Sequence, residues 1–351
     1  MSAGHEPGAS PAAARRRALA RPRPLWRHAW GLLWLALGLP SWLPSLACAQ
    51  VQGAPMRAEA VGPGVWFVQG VAALGSPANR NFISNAGFVV TPDGVVVVDA
   101  LGSPALAKDL LALIRHHTPQ PVRWLILTHC HADHLYGLQV FAEAGARVLA
   151  HRACLDYLGS EAARLRLEDS RRALAPWIDD ATRLVRPDAV IGERGESEQV
   201  LVLAGRRIVV RHVGPAHTPE DLVVHDEASG VLFAGDLVFR GRVPFVGQAD
   251  SGRWLLALDL LVGLAPRVIV PGHGAASVTP VADLQGTREY LAFLRQAMGE
   301  AAERMEPFDE AYARVDWSRF ARWPLFEAAN RINAYNTYLL LEREAAAPAR
   351  R

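Results

Sequence analysis

The sequence predicts an α/β fold in which two mixed sheets pack face to face with helices outside, a four-layer αβ/βα sandwich. Short apolar runs rich in β-branched residues recur from residue 64 onward, each bounded by Gly, Pro, Asn or Asp. The first runs come in pairs with hairpin turns, as at residues 91–94, whereas later runs alternate with helical patterns. The content of 50% apolar and 21% charged residues is typical of a globular chain and excludes disorder, collagen and coiled coils.

The predicted strands follow one another in chain order. They cover residues 65–68, 88–91, 95–99, 122–127, 148–150, 200–203, 208–213, 222–224, 231–234 and 268–270. Helical patterns cover residues 103–116, 134–144, 152–173 and 253–264. In the first of these helices, Ser103 is the predicted N-cap and Pro104 lies in the first turn.

The chain divides into three parts by composition. Residues 60–280 carry the predicted sandwich, and residues 281–345 have periodic apolar positions without a strand pattern, which predicts a helical extension ending in a helix over 328–344. Residues 1–49 contain six Arg, an apolar run over 29–46 and the small residues Ala47-Cys48-Ala49, which is typical of a signal peptide. Pro40 and Pro44 interrupt the run and argue against a membrane anchor. A lipoprotein signal through Cys48 is a weaker alternative. We therefore expect a periplasmic or secreted protein that begins at Gln50.

Charge and cysteine content narrow the function classes. Without residues 1–49 the chain has 31 basic and 34 acidic residues, so nothing in its charge favours binding to nucleic acid. Only Cys130 and Cys154 remain in that part, and we expect no disulfide framework. Stability is then expected to come from the core, with a contribution from bound metal.

The segment Thr128-His129-Cys130-His131-Ala132-Asp133-His134 is the strongest functional signal in the sequence. It lies between a predicted strand and a predicted helix, so its side chains leave a rigid sheet edge. Three imidazoles and one carboxylate within six residues are the ligand types of a metal site. Cys130 stands between two of these ligands, and we expect its side chain to point away from them.

Three further ligand-type residues follow predicted strands. His217 comes after the strand at 208–213, Asp236 after the strand at 231–234, and His273 after the strand at 268–270. Each residue alone is more simply explained as part of a loop or turn. Together with the first segment they make five His and two Asp, a set of nitrogen and oxygen ligands that suits two zinc ions.

In these motifs the chain resembles the metallo-β-lactamase superfamily, over roughly residues 60–280. The resemblance implies that His129, His131 and His217 hold one zinc, that Asp133, His134 and His273 hold the other, and that Asp236 bridges them. Asp133 and Asp236 are the expected catalytic residues, Asp133 because it also orients the nucleophile. Asp99 matches an early Asp of the family that supports the ligand loop without being a ligand, although a turn or helix-cap role explains it almost as well.

Two features bear on the subtype. β-Lactamases of this superfamily generally carry Cys or Ser where Asp236 stands, whereas an Asp is usual in thioesterases and lactonases. The loop 239–247 places Arg240 and Arg242 close to the expected site, where either guanidinium is a candidate for binding an anionic substrate. With residues 330–336, this loop is similar to exported quinoprotein relay or sulfur-oxidation zinc metallohydrolases.

The resemblance implies an exported dinuclear zinc hydrolase in which a metal-bound hydroxide attacks a small carbonyl substrate: a thioester, lactone, ester or amide. Three alternatives remain. The first is β-lactam hydrolysis. The second is a di-iron redox enzyme, because the same ligands bind iron. The third is a metal-dependent accessory protein of a periplasmic quinoprotein partner.

Overall fold

The computed structural model describes residues 56–346. The predicted signal peptide, residues 1–49, lies outside the described residues. Within the described part, two mixed β-sheets pack together and helices cover their outer faces. None of the described helices has the length and apolar character that a membrane crossing requires.

The first sheet has seven strands arranged in chain order. They are β1 (Ala58–Gly62), β2 (Val65–Val68), β3 (Ala86–Thr91), β4 (Gly94–Val98), β5 (Val122–Ile126), β6 (Arg147–His151) and β7 (Ala189–Ile191). The strands β1 to β4 pair antiparallel, and β4 to β7 pair parallel. The sequence pattern predicts neither β1 nor β7, because β1 has no buried residue and β7 has only three residues.

The second sheet has five strands in the order β12-β11-β10-β9-β8. They are β8 (Glu198–Leu203), β9 (Arg206–His212), β10 (Leu222–Asp226), β11 (Val231–Phe239) and β12 (Val268–His273). Only the β11 and β12 pair is parallel. The strand β11 continues past the predicted end at residue 234, so Asp236 lies within it and not after it.

An irregular register in β11 explains how Asp236 reaches the site. The pairing with β12 shifts on both sides of Gly235, which has a φ of +52°. A Cβ at Gly235 would stand 2.8 Å from the Thr128 hydroxyl oxygen, so only glycine allows this close approach. Such a bulge re-aims the next side chain.

The helices form the two outer layers. They are α1 (Pro104–His117), α2 (Ala132–Leu135), α3 (Leu138–Glu143), α4 (Arg152–Leu158), α5 (Glu161–Ala173), α6 (Ser251–Gly263), α7 (Pro280–Glu303), α8 (Phe308–Arg314) and α9 (Phe326–Ala346). Ser103 caps α1 as predicted, accepting a hydrogen bond from the Leu106 amide at 3.3 Å. Two predicted helices are each divided in the structure, 134–144 by Tyr136 and Gly137, and 152–173 by Gly159 and Ser160.

Apolar residues separate the layers. One buried cluster joins the facing sides of the two sheets and includes Phe67, Val96 and Phe233. A second cluster joins the first sheet to α1 and α3. A third joins the second sheet to α6, α7 and α9, so these C-terminal helices share a core with that sheet. This arrangement confirms the predicted four-layer sandwich with C-terminal helices.

Candidate metal centre

The segment 128–134 begins where β5 ends and turns into α2, as the sequence predicts. Asp99 follows the neighbouring strand β4 and adopts a left-handed φ of 64°. Its carboxylate accepts hydrogen bonds from the Thr128 amide at 2.8 Å, from the Thr128 hydroxyl at 2.9 Å and from Nδ1 of His134 at 2.9 Å. Asp99 therefore fixes the start of the loop and orients one of its imidazoles.

The structure brings all seven predicted ligands together. Two groups have their ligand atoms within 4.8 Å of one another: His129, His131, His217 and Asp236 in the first, and Asp133, His134 and His273 in the second. The two groups are those that the resemblance implies. Their members lie up to 144 positions apart in the chain, between His129 and His273.

Asp236 lies between the two groups. Its Oδ2 is 3.4 Å from Nε2 of His217, a member of the first group. Its Oδ1 is 3.2 Å from Nε2 of both His134 and His273, which belong to the second group. One carboxylate thus faces both groups, as a bridging ligand would.

Several buried atoms at the centre fit a bound cation. Among the described residues, Nε2 of His129, Nε2 of His134 and Oδ1 of Asp236 are buried without a hydrogen-bond partner. In a neutral His134, Nδ1 carries the proton donated to Asp99, so the Nε2 lone pair faces the carboxylate oxygen at 3.2 Å. Leaving buried polar atoms unpaired costs about 1 to 3 kcal/mol for each group. A metal ion placed between these atoms would remove that cost.

The charges of the centre also favour a cation. Burial lowers the pKa of His129, His131 and His217, so these imidazoles are neutral and have lone pairs to offer. Burial acts in the same direction on His134, but the carboxylates of Asp236 and Asp99 raise its pKa well above the ordinary value. Burial opposes ionisation of Asp236, yet the surrounding imidazoles, first His273 and then His134, hold its pKa well below the ordinary value. The position between Asp236 and His134 therefore stabilises positive charge.

The second nitrogen of His273 is also fixed. Its Nδ1 donates to the carbonyl oxygen of Ile83 at 2.6 Å, which leaves Nε2 for the centre. The ring stacks on Phe239 with 4.9 Å between ring centres. Gly272 precedes it, and a Cβ there would stand 2.0 Å from Oδ1 of Asp236, so a larger residue would displace the carboxylate.

The two predicted substrate arginines differ in their surroundings. Arg242 is buried, and its guanidinium lies 3.3 Å from Nδ1 of His273. Burial lowers the pKa of Arg242, while Asp236 and Asp133 act in the opposite direction. Arg240 instead donates to the carbonyl oxygens of Ala275 and Ala276 at 2.6 and 2.7 Å.

Arg240 is further occupied by a carboxylate. Its guanidinium forms an ion pair with Asp283 at 2.9 Å. The donors of Arg240 therefore fix the turn after His273 to the start of α7.

Asn85 is a residue of the site that the sequence analysis missed. Its side-chain amide donates to the carbonyl oxygens of Pro271 and Gly274 at 2.8 and 2.7 Å, and its Oδ1 accepts from the Gly70 amide at 3.0 Å. It holds the His273 loop against the end of β2. Its signal in the sequence is weak: a lone Asn directly before a strand, 186 positions from Pro271.

The two cysteines correct an expectation from the sequence. Cys130 and Cys154 form a disulfide, with their Cα atoms 5.9 Å apart. Two cysteines cannot form a framework of several disulfides, but they are enough for one bridge. The parallel strands β5 and β6 bring the segments that follow them side by side, and with them the two cysteines. The Cys130 side chain thus points away from the ligands, as predicted, and links their loop to α4.

The Asn-rich segment 330–336 lies on α9. The side chain of Asn333 accepts from the Val246 amide at 2.9 Å and donates to the Pro244 carbonyl oxygen at 2.7 Å. Asn330 accepts from the Tyr290 hydroxyl at 2.8 Å. The Asn333 bonds fix the loop that follows Arg242 to α9, and the Asn330 bond joins α9 to α7.

Comparison with known proteins identifies the family of the chain. A family profile described as the metallo-beta-lactamase superfamily matches residues 79–273, more than half of the chain. The chain belongs to the metallo-beta-lactamase superfamily. The profile is common to the whole superfamily and does not single out the quinoprotein relay subtype.

Three curated relatives are hydrolases by name. The chain is 23% identical over 242 residues to a linear primary-alkylsulfatase of Pseudomonas sp. (strain ATCC 19151), which covers 60% of this chain and 44% of that protein. It is 27% identical over 237 residues to an acyl-coenzyme A thioesterase of Gallus gallus, covering 60% and 71%. It is 33% identical over 141 residues to a hydroxyacylglutathione hydrolase of Anaeromyxobacter dehalogenans, covering 40% and 42%. The chain therefore spans less than half of the alkylsulfatase.

Solved structures show the same fold. A metallo-beta-lactamase from Pontibacter korlensis aligns with a TM-score of 0.53 at 23% identity, over 68% of this chain and 99% of that one. An inverting sec-alkylsulfatase from Pseudomonas sp. aligns with a TM-score of 0.63 at 18% identity, over 81% of this chain and 50% of that one. At these identities the likeness concerns the fold.

Proposed function

We propose that the protein is an exported dinuclear zinc hydrolase that acts on a small carbonyl substrate. The observation that carries this proposal is the convergence of seven ligand-type side chains in two adjoining groups with Asp236 between them. The relatives are named as an alkylsulfatase, a thioesterase and a hydroxyacylglutathione hydrolase, which are all hydrolytic enzymes, and this supports the reaction class.

Zinc is the favoured metal because the predicted ligands are imidazoles and carboxylates. The nearby Cys130 is held in a disulfide and offers no thiolate to a metal. Iron is the alternative, since imidazole and carboxylate ligands also bind it. When bound, zinc supplies Lewis-acid chemistry, polarising a substrate oxygen and making water nucleophilic at neutral pH.

The residues of the chain have separate tasks in this reading. His129, His131 and His217 would hold one ion, and Asp133, His134 and His273 the other, with Asp236 shared. Asp99 keeps the proton of His134 on Nδ1, and the Ile83 carbonyl does the same for His273. Arg242 adds a buried positive charge beside His273, where it would favour an anionic substrate.

A thioester is the first substrate class to test. Asp236 stands where Cys or Ser is expected in β-lactamases, and two of the relatives are named as a coenzyme A thioesterase and a hydroxyacylglutathione hydrolase. A sulfate ester is the second class, because the alkylsulfatase aligns over 60% of this chain.

An accessory role for a periplasmic quinoprotein partner is the alternative function. Its support is the similarity of residues 239–247 and 330–336 to the quinoprotein relay type.

Export rests on the composition of residues 1–49, and the Cys130–Cys154 disulfide agrees with an oxidising compartment. N-terminal sequencing of the protein from a periplasmic fraction tests this part. We expect the chain to begin at Gln50, and an intact Met1 in the cytoplasm would contradict export.

The activity is tested with protein purified from its own host and assayed on matched thioesters, lactones, β-lactams and alkyl sulfates. We expect thioester or lactone hydrolysis that chelation abolishes and zinc restores. The His131→Ala variant should lose activity with every substrate, whereas Asp180→Ala, an exposed carboxylate on the 174–188 segment, should not. Metal-loaded protein inactive on the whole panel would contradict a hydrolase.

A further inference from the structure

A cleft of about 570 Å³ opens between the end of β2, the loops after β11 and β12, and the C-terminal helices. Its lining includes Phe239 and Gly274, which adjoin the predicted ligand His273: Phe239 stacks on that imidazole, and Gly274 follows it in the chain. These two residues place the cleft beside His273, and none of the seven predicted ligands themselves lines it. The segment between α8 and α9 contributes Arg322 and Trp323 to its far wall.

The charges that line the cleft do not balance. Two arginines and one aspartate face it. Asp283 is taken by Arg240, with which it forms the ion pair at 2.9 Å, and it also accepts from the Thr279 hydroxyl at 2.8 Å. Arg322 is exposed and forms no ion pair with another described residue. One positive charge is thus left for a ligand.

Apolar surface lies beside that charge. Trp323 is partly buried, and its ring packs edge-on against Phe320 at 5.2 Å, which fixes its position in the wall. Next to this ring α7 presents Gly286, where a Cβ would stand 3.6 Å from the indole, so the missing side chain leaves space beside Trp323. The cleft thus combines the Arg322 guanidinium with the apolar Trp323 ring and the open space at Gly286. This combination suits a ligand with an apolar group that ends in an anion.

We propose that this cleft binds the part of the substrate remote from the reacting bond, and that this part is an apolar chain or ring ending in a carboxylate held by Arg322. The single unbalanced charge matches a monoanion such as a carboxylate better than a dianionic phosphate. The inference rests on the proposed hydrolase for its link to a substrate, but the binding site itself is independent of turnover. It also gives the residues 322 and 323 a role in specificity that nothing in the sequence suggested.

A binding measurement tests the cleft without requiring activity. Titration calorimetry with zinc-loaded protein would compare 4-phenylbutyrate with its neutral amide. We expect the carboxylate to bind at least about 10-fold more tightly, the low end for a charge-assisted hydrogen bond. Arg322→Ala should remove that preference, Arg322→Lys should keep part of it, and Arg343→Ala, an exposed arginine of α9 outside the cleft, should leave it unchanged.

A second variant fills the cleft instead of removing charge. At Gly286 a Cβ would meet only Trp323, at 3.6 Å, an ordinary van der Waals contact, and the position is helical, so the backbone accepts a side chain there. The test variant is Gly286→Leu, and circular dichroism checks that it folds. We expect it to weaken binding of both probes. Equal binding of acid and amide to the wild type, or unchanged binding in both Arg322→Ala and Gly286→Leu, would overturn the proposal.

Kinetic assays with two thioesters test the cleft separately from the proposed thioesterase function. The phenyl thioester of glutaric acid carries a free carboxylate, and that of pentanoic acid does not. We expect Arg322→Ala to raise KM for the first at least about 10-fold and to leave KM for the second unchanged. An enzyme that hydrolyses neither thioester but shows the Arg322-dependent binding would refute the thioesterase function and retain the cleft. If the enzyme hydrolyses both thioesters and Arg322→Ala changes neither KM, the thioesterase function stands and the cleft proposal is refuted.

Discussion

The carboxylate of Asp99 accepts a hydrogen bond from Nδ1 of His134 at 2.9 Å, and the same carboxylate accepts from the amide and hydroxyl of Thr128. His134 in turn places Nε2 at 3.2 Å from Asp236. One buried residue that is not itself a predicted ligand thus sets both the loop backbone and the tautomer of a predicted ligand. Such partners of metal-binding imidazoles contribute to metal affinity.

The Asp99→Asn variant should therefore bind metal about 10- to 100-fold more weakly, the range for lost partners of metal ligands. The reason is that an amide oxygen holds the His134 proton less strongly than a carboxylate does. Competition with a chromogenic chelator measures the affinity, and circular dichroism checks the fold. Asp180→Asn is the matched control, and equal metal affinity in both variants would show that Asp99 has no part in the centre.

The disulfide ties the ligand loop to α4, so its removal should affect both stability and metal binding. Cys130 and Cys154 are 24 positions apart, and opening a loop of this size costs about 3 kcal/mol in the chain-entropy description. We expect the Cys130→Ala/Cys154→Ala double variant to unfold at lower urea concentration and to lose zinc to a chelator more readily. Superimposable urea curves with and without reductant in the wild type would contradict this.

The stacked pair His151 and His212, with 3.8 Å between ring centres, predicts acid sensitivity. Burial, followed by the charges of His212 and Arg152, lowers the pKa of His151 from its ordinary value of 6.5 to about 4. Above pH 6.5 neither folded nor unfolded His151 is protonated, and this group has no effect. As the pH falls from 6.5 to 4, the unfolded chain takes up a proton that the folded chain does not, so stability declines in this window.

The His151→Phe variant keeps an aromatic ring but cannot take up that proton. Urea unfolding at pH 7.5, 6 and 5 should show a smaller loss of stability in the variant than in the wild type. An identical decline in the two proteins would indicate that His151 is not the responsible group.

The Arg242→Ala substitution should weaken substrate binding and leave the metal content unchanged. If it binds an anionic substrate, Arg242→Ala should raise KM by roughly 10- to 150-fold, corresponding to about 1.5 to 3 kcal/mol for a charge-assisted hydrogen bond. Arg240→Ala should instead act on stability, because Arg240 holds the 275–276 turn and Asp283. Steady-state kinetics and metal analysis of both variants decide this, and unchanged kinetics for Arg242→Ala would remove it from substrate binding.

The sequence was sufficient where function depends on residues at strand ends. The segment 128–134 has a ligand pattern that few folds explain otherwise. His217 follows β9 as predicted, whereas β12 runs past its predicted end and His273 is its last residue; the apolar runs of both strands are evident in the sequence. Sequence reasoning failed where a role depends on contact between distant segments. Asn85 meets Pro271 across 186 positions, and Asp236 is directed by a bulge at Gly235 that no local pattern announces.

The same limit applies to the arginines. Residues 240 and 242 are neighbours in sequence and were expected to be equivalent, but the structure turns one toward Asp283 and the other toward His273. Arg322 belongs to the predicted helical extension but lies between α8 and α9 and carries no motif, and the packing of the C-terminal helices brings it to the cleft. Side-chain direction in loops is decided by such packing.

The dinuclear centre is tested most directly by metal analysis of purified protein and of Asp236→Ala, using inductively coupled plasma mass spectrometry together with turnover. We predict two zinc ions per wild-type chain, and in the variant at most one ion and a loss of turnover of at least about 10- to 100-fold. The Asp180→Ala control should match the wild type. A wild-type protein that retains one metal or none at saturating zinc, or an Asp236→Ala protein with full metal content and full activity, would contradict the bridging role of Asp236.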